Sequence, residues 1–222
     1  MFLQVPNILT DEELTKIDAV LADGTFSDGK ATADAPTKPV KNNLQMDVSE
    51  AGNEAGQLVI QAIARSALVQ RACMPSRVVR PLFSRYETGM QYGWHNDNPL
   101  MIEGRPLRSD IAVTVFLSEP DSYEGGDLLV NTAGGQARFR LPRGHAILYP
   151  ATTIHSVAEV TKGTRNVAVT WIQSIVESAA QRELLHELDA ASRLVRDKAP
   201  ESDEARLLMK VHANLMRMWY DI

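Results

Sequence analysis

Apolar residues recur with a helical period at both ends of the chain, and between them the pattern changes to short runs in which apolar and polar positions alternate. Thr10-Asp-Glu-Glu13 matches a capping box, and Leu14, Ile17, Val20 and Leu21 follow at helical spacing, which predicts a helix over 10–22 ending near Gly24. Residues 23–50 are rich in Gly, Thr, Asp, Pro, Lys and Asn and show no sustained period, so they read as a long loop. Leu58, Ile60, Ile63, Ala64 and Leu68 predict a second helix over 54–70. Beyond Pro75 the texture is that of a sandwich or barrel, with strands expected near 78–86, 111–117, 127–131, 136–140, 145–149, 153–160 and 166–173 and a tight connection at Ala133-Gly134-Gly135. After Glu177 one helical stripe runs through Leu184, Leu185, Leu188, Ala191 and Leu194. A second runs through Leu207, Leu208, Val211, Leu215 and Met218, and Pro200 and Ser202 lie between them as breaker and N-cap. The reading is an α+β chain in which a β core carries N-terminal helices and a C-terminal helical hairpin.

Composition narrows the class. At 44% hydrophobic and 23% charged, the 222 residues can build one packed core and are neither a disordered nor a collagen-like chain. With 23 Lys and Arg against 28 Asp and Glu, no overall positive field draws the chain to nucleic acid or to a membrane surface. The single cysteine, Cys73, can form no internal disulfide and reads as a small buried hydrophobe. No basic leader followed by an apolar run opens the chain, so a cytoplasmic location is expected.

Candidate chemistry begins at His95-Asn96-Asp97. Residues two apart on extended backbone point to one side, so an imidazole and a carboxylate converge there. A third ligand is needed. His186 and His212 fall in the helical hairpin and His145 follows Gly144 at a strand start, whereas His155 opens a β-type run after a Pro-bearing turn. Two imidazoles and one carboxylate leave open positions on ferrous iron, though the same trio can hold zinc. Arg165, following the expected turn Lys162-Gly163-Thr164 ten residues after His155, favours iron chemistry. A planar guanidinium near a metal is what bidentate capture of a carboxylate requires, and zinc hydrolysis has no need of it.

Phe83-Ser-Arg-Tyr86-Glu-Thr-Gly-Met-Gln-Tyr92-Gly-Trp-His95-Asn-Asp97, the run from Ser109 to Pro120, Tyr123-Glu-Gly-Gly-Asp127, Tyr149-Pro-Ala-Thr-Thr-Ile-His155 and Gly163-Thr-Arg165 together resemble the prolyl-4-hydroxylase-like Fe(II)/2-oxoglutarate dioxygenases. More narrowly, the chain is similar to the bacterial PKHD-type hydroxylases, whose Lys-Asn-Asn-x-Gln element is here Lys41-Asn42-Asn43-Leu44-Gln45. The resemblance runs nearly end to end and implies a double-stranded β-helix, or jelly-roll, core over about 78–174. It divides the chain into a dioxygenase domain over 1–176 and a helical extension over 177–222. It implies Fe(2+) on His95, Asp97 and His155, with 2-oxoglutarate bound by Arg165 and by the hydroxyl of Tyr86. Tyr92 and Tyr149 are weaker candidates. L-ascorbate is a further expected cofactor, and the expected reaction is hydroxylation of a C–H bond by O2 with decarboxylation of 2-oxoglutarate to succinate. Lys41, Asn42, Asn43 and Gln45, in the 23–50 loop, are candidate lid or substrate residues. The resemblance also implies a role in iron uptake and a peptidyl or siderophore-like substrate. The competing reading is a non-catalytic sensor of iron or 2-oxoglutarate, and the C-terminal helices are a candidate homodimer contact.

Overall fold

The computed structural model describes residues 1–220. In chain order the elements are β1 (Leu3–Val5), α1 (Asp11–Asp23), β2 (Phe26–Asp28), β3 (Lys41–Asn42), β4 (Leu44–Met46), α2 (Glu50–Arg65), α3 (Ala67–Cys73), β5 (Pro75–Val78), β6 (Leu82–Glu87), β7 (Gln91–His95), β8 (Leu100–Glu103), β9 (Arg105–Arg108), β10 (Ile111–Phe116), β11 (Tyr123–Gly125), β12 (Leu128–Thr132), β13 (Gly135–Phe139), β14 (Ala146–Pro150), β15 (His155–Val157), β16 (Val160–Ser174), α4 (Ala179–Lys198) and α5 (Asp203–Trp219). A larger sheet runs β1-β14-β10-β16-β6-β4-β2, with β5 and β11 also paired to β16. A smaller sheet, β13-β12-β15-β7-β3, faces it. The strand pairings among the described residues are antiparallel, and the result is the double-stranded β-helix the resemblance implies.

The larger sheet is buried on both faces, and β10 shows why. Ile111, Val113 and Val115 pack with Ile17, Val59, Ile63 and Val69 of the N-terminal helices, while Ala112 and Phe116 pack between the sheets with Leu128, Ile147, Val157 and Trp171. An uninterrupted run of buried positions therefore still obeys the period of two: odd residues meet helices and even residues meet the opposite sheet. The helix layer is fixed by its caps. Thr10 and Glu13 form the capping box of α1, each side chain bonding the other's backbone N–H.

Several expectations need correction. The apolar period over 54–70 crosses a break at Ser66, whose amide closes α2 on Ala62 and whose hydroxyl caps α3 at Val69, so two helices replace one. The segment 23–50 is no open loop. Its strands β2 and β4 extend the larger sheet and β3 edges the smaller one, but at two or three residues each they are too short to show alternation. β1 and β11, at three residues, are short in the same way, and the four-residue β5, β8 and β9 and the five-residue β7 are further strands beyond those expected. Lys162-Gly163-Thr164 is not a turn: it lies inside β16, and the chain runs on from β15 through Ala158 and Glu159 into β16 without reversing, antiparallel throughout to the run of β11 and β12, as it passes from the smaller sheet to the larger.

Two glycines shape the Tyr123–Asp127 segment beside β16. Gly125 and Gly126 both have positive φ, a Cβ on Gly125 would lie 2.0 Å from the Glu159 carbonyl, and one on Gly126 would press on the Arg165 stem at 3.1 Å. Arg140 braces the segment, donating to Asp127 at 2.7 Å and to the Tyr123 carbonyl at 3.1 Å. The C-terminal hairpin packs through α4 on α3, burying Leu185 with Met74 and Val176. The two apolar stripes of the hairpin lie largely outside the core: Leu184, Leu194, Leu207 and Met218 are all more than half exposed. No helix among the described residues is long and apolar enough to cross a membrane.

Cys73 sits 1% exposed under this helix layer, and burial pushes its thiol up to about 12. The native protein should therefore leave a thiol reagent such as DTNB unreacted at pH 8 and release one equivalent of chromophore only on unfolding in guanidinium, measured by absorbance.

Candidate metal centre

β7 ends at His95 and β15 begins at His155, and these two residues are direct cross-strand partners in the smaller sheet. Their rings therefore lie side by side, centroids 4.3 Å apart. Asp97, just past the end of β7, brings its carboxylate to 3.8 Å from His155 Nε2. One ligand atom from each of the three falls within 4.8 Å of the others, which makes a metal-sized cluster. In both rings Nδ1 faces a backbone carbonyl two residues upstream, Gly93 at 2.7 Å for His95 and Thr153 at 2.9 Å for His155. Donation from Nδ1–H fixes the tautomer that leaves Nε2 as a lone-pair donor toward the shared centre.

Burial favours the uncharged form of both His95 and Asp97. Burial, joined by the His155 imidazole and opposed by the Gly93 carbonyl, pulls His95 down to about 3, so the ring is neutral at physiological pH. Burial holds the Asp97 carboxyl above its ordinary range, against the opposing pull of His155, Trp171 and Lys41. Asp97 Oδ2 is buried with no hydrogen-bond partner among the described residues, and the nearby Trp171 indole N–H is likewise unpaired. A cation at the centre supplies the missing partner of that oxygen. Two Nε2 atoms and one carboxylate are the donor set suited to ferrous iron.

Arg165 lies on β16 in the facing sheet, directly opposite Tyr86 of β6. It is 1% exposed, and its Nε and Nη1 have no hydrogen-bond partner among the described residues. The guanidinium carbon instead lies 5.1 Å from the Tyr86 ring centroid and 5.6 Å from that of Phe116. Burying a guanidinium without an anion is costly, so the site is organised for an anion that arrives from outside. Burial pushes the Tyr86 phenol up to about 12 against the pull of Arg165, which keeps it a neutral donor.

Arg165, His95, Asp97 and His155 line one cavity of about 290 Å³ between the sheets. Of the polar strand residues expected near it, Lys41, Asn43 and Gln45 line the wall, whereas Asn42 points outward and donates to the Gly89 carbonyl. That alternation follows from the extended backbone of β3 and β4. From the 111–117 strand only Thr114 reaches the cavity, because Ile111, Val113 and Val115 face the helices. Other wall residues were not anticipated. Val167, Val169 and Trp171 share the cavity face of β16 with Arg165, a period-two signal present in the sequence. Tyr92 stacks on His95 at 3.6 Å, and Tyr149 meets His155 edge-on at 5.2 Å. His145, His186 and His212 take no part in the cluster.

Comparison with known proteins agrees with this geometry. Residues 81–173 match the model of the 2OG-Fe(II) oxygenase superfamily and residues 180–221 that of the PKHD-type hydroxylase C-terminal domain. A PKHD-type hydroxylase of Thermosynechococcus vestitus is 43% identical over 224 residues covering 100% of both chains, and one of Xanthomonas euvesicatoria is 38% identical over 228 residues, again covering 100% of both. In fold, the chain is similar to a Trichoplax adhaerens prolyl hydroxylase crystallised with a hypoxia inducible factor peptide (TM-score 0.60, 16% identity, 78% of this chain and 83% of that one). A Pseudomonas putida prolyl-4-hydroxylase is also similar (TM-score 0.55, 17% identity, 78% and 92%).

A buried cation kept for an absent anion weakens the ligand-free fold. Arg165→Met, of similar reach and without charge, should raise the stability of the metal-free protein by about 1–3 kcal/mol in urea denaturation.

Proposed function

Because the chain belongs to the PKHD-type hydroxylases and is a 2-oxoglutarate-dependent dioxygenase with Fe(2+) as its metal, we propose that it hydroxylates a C–H bond of a peptidyl or siderophore-like substrate while converting 2-oxoglutarate to succinate. The observation that carries this reading is one cavity lined by two Nε2 atoms, a carboxylate and a sealed guanidinium whose Nε and Nη1 have no hydrogen-bond partner among the described residues. In it His95, Asp97 and His155 hold the iron, and Arg165 takes the far carboxylate of 2-oxoglutarate with the neutral hydroxyl of Tyr86 beside it. The oxidising chemistry is supplied by iron and 2-oxoglutarate when bound. The chain's own part is to aim both Nε2 atoms at the centre through the Gly93 and Thr153 carbonyls and to keep His95 neutral by burial, while a bound metal would have to outcompete the proton that burial favours on Asp97. It also encloses the reacting region in a largely apolar space formed by Leu128, Val157, Val167 and Trp171. The iron-uptake setting implied by the resemblance makes siderophore-type molecules part of the substrate search, with L-ascorbate in the assay.

Asp97→Ala should lose ferrous iron and stop succinate formation while remaining folded, read by metal analysis, succinate assay and circular dichroism. Arg165→Met should retain iron but need at least about 100-fold more 2-oxoglutarate, the scale of a lost bidentate charge-assisted pair. Iron and 2-oxoglutarate binding with no succinate and no oxygenated product across such a panel would instead assign a sensor.

A further inference from the structure

The cavity holds a second deeply buried cation on the wall opposite Arg165. Lys41 is 5% exposed, inward on β3 at the edge of the smaller sheet, paired in register with Tyr92. Its Nζ donates to Thr32 Oγ1 at 2.8 Å, and Thr32 in turn donates to Gln45 Oε1 at 2.6 Å, so the ammonium is held in place by a short polar relay. It lies 5.2 Å from the centroid of the Tyr92 ring, which is itself stacked on His95. It makes no ion pair among the described residues, and it has donors to spare beyond the one that Thr32 takes. A lysine with only structural work to do would snorkel to water or find a carboxylate; this one is pinned inside the cavity, one aromatic ring from a metal ligand.

We propose that Lys41 is the specificity-determining anchor for a carboxylate on the substrate, so that the molecule to be hydroxylated is a carboxylic acid held by its anionic end beside the metal centre. The inference rests on the iron and 2-oxoglutarate reading and names the substrate class for that site. A carboxylate fits better than a phosphate because the Asp28 and Asp97 carboxylates already act on the Lys41 ammonium and Asp34 lines the same cavity, so a dianion would meet more repulsion. Thr37 and Asn96 add neutral polar groups to the same wall, and Met101 and Ile102 of the β8–β9 hairpin offer apolar surface to the remainder of the acid.

The test uses matched probes: N-acetyl amino acids with a free carboxylate and the same compounds as carboxamides, titrated calorimetrically under nitrogen into protein loaded with iron(II) and 2-oxoglutarate. The free acids should bind at least tenfold more tightly than their amides to the wild type. Lys41→Met should abolish that preference by weakening only the acids, and Lys41→Arg should retain it. Equal binding of acids and amides to the wild type, binding of neither, or a Lys41→Met protein that keeps the preference would overturn the proposal. So would a Lys41→Met protein whose 2-oxoglutarate affinity falls as far as its acid affinity, since Lys41 would then serve the co-substrate. The wild-type comparison needs no variant, so a misfolded substitution leaves the test intact. Failure of the underlying reading shows separately, as wild-type protein that binds no 2-oxoglutarate before any probe is added.

Discussion

The constraint on which this structure turns is electrostatic: charges and lone pairs are sealed between two β-sheets with no partners of their own. Arg165 and Asp97 Oδ2 could each have been satisfied by a neighbouring side chain, as Asp110 is by Arg108 and Asp127 is by Arg140. They are not, and a bound metal and an anionic co-substrate would recover the free energy spent in desolvating them. Structural ion pairs elsewhere in the fold show that the chain readily builds satisfied arginines, so the unsatisfied one marks the functional cavity.

The two sheets divide the work. The smaller sheet sets the metal ligands by register, His95 against His155, and supplies the backbone carbonyls that choose their tautomers. The larger sheet carries Arg165 against Tyr86 and gains its stiffness from burial on both faces, with helices outside and the cavity wall inside. Gly126 lets the Tyr123–Asp127 segment close on the arginine stem, and Arg140 ties that segment down. Preorganisation of this kind costs no rearrangement when ligands arrive.

Much of this was legible before any coordinates. His95 and Asp97 were readable because spacing on extended backbone is a local property, and the stripe of α1 with its capping box fixed the first helix. Legibility failed where a residue's place depends on pairing partners far along the chain. Arg165 is near His155 because the two sheets face each other; the hairpin turn expected at Lys162-Gly163-Thr164 does not exist, and the right residue was reached by a wrong route. The 23–50 segment hid three strands too short to have a period, and with them the inward positions of Lys41, Asn43 and Gln45. The C-terminal stripes misled in the opposite sense, since a strong helical period reports an apolar face but not what, if anything, covers it.

The most direct measurement is a crystal structure of the protein grown without oxygen in the presence of iron(II) and 2-oxoglutarate. The account requires iron on Nε2 of His95, Nε2 of His155 and the Asp97 carboxylate, with the far carboxylate of 2-oxoglutarate paired to the Arg165 guanidinium. Iron bound through other atoms, or a co-substrate lying elsewhere while Arg165 stays without an anion, would contradict it.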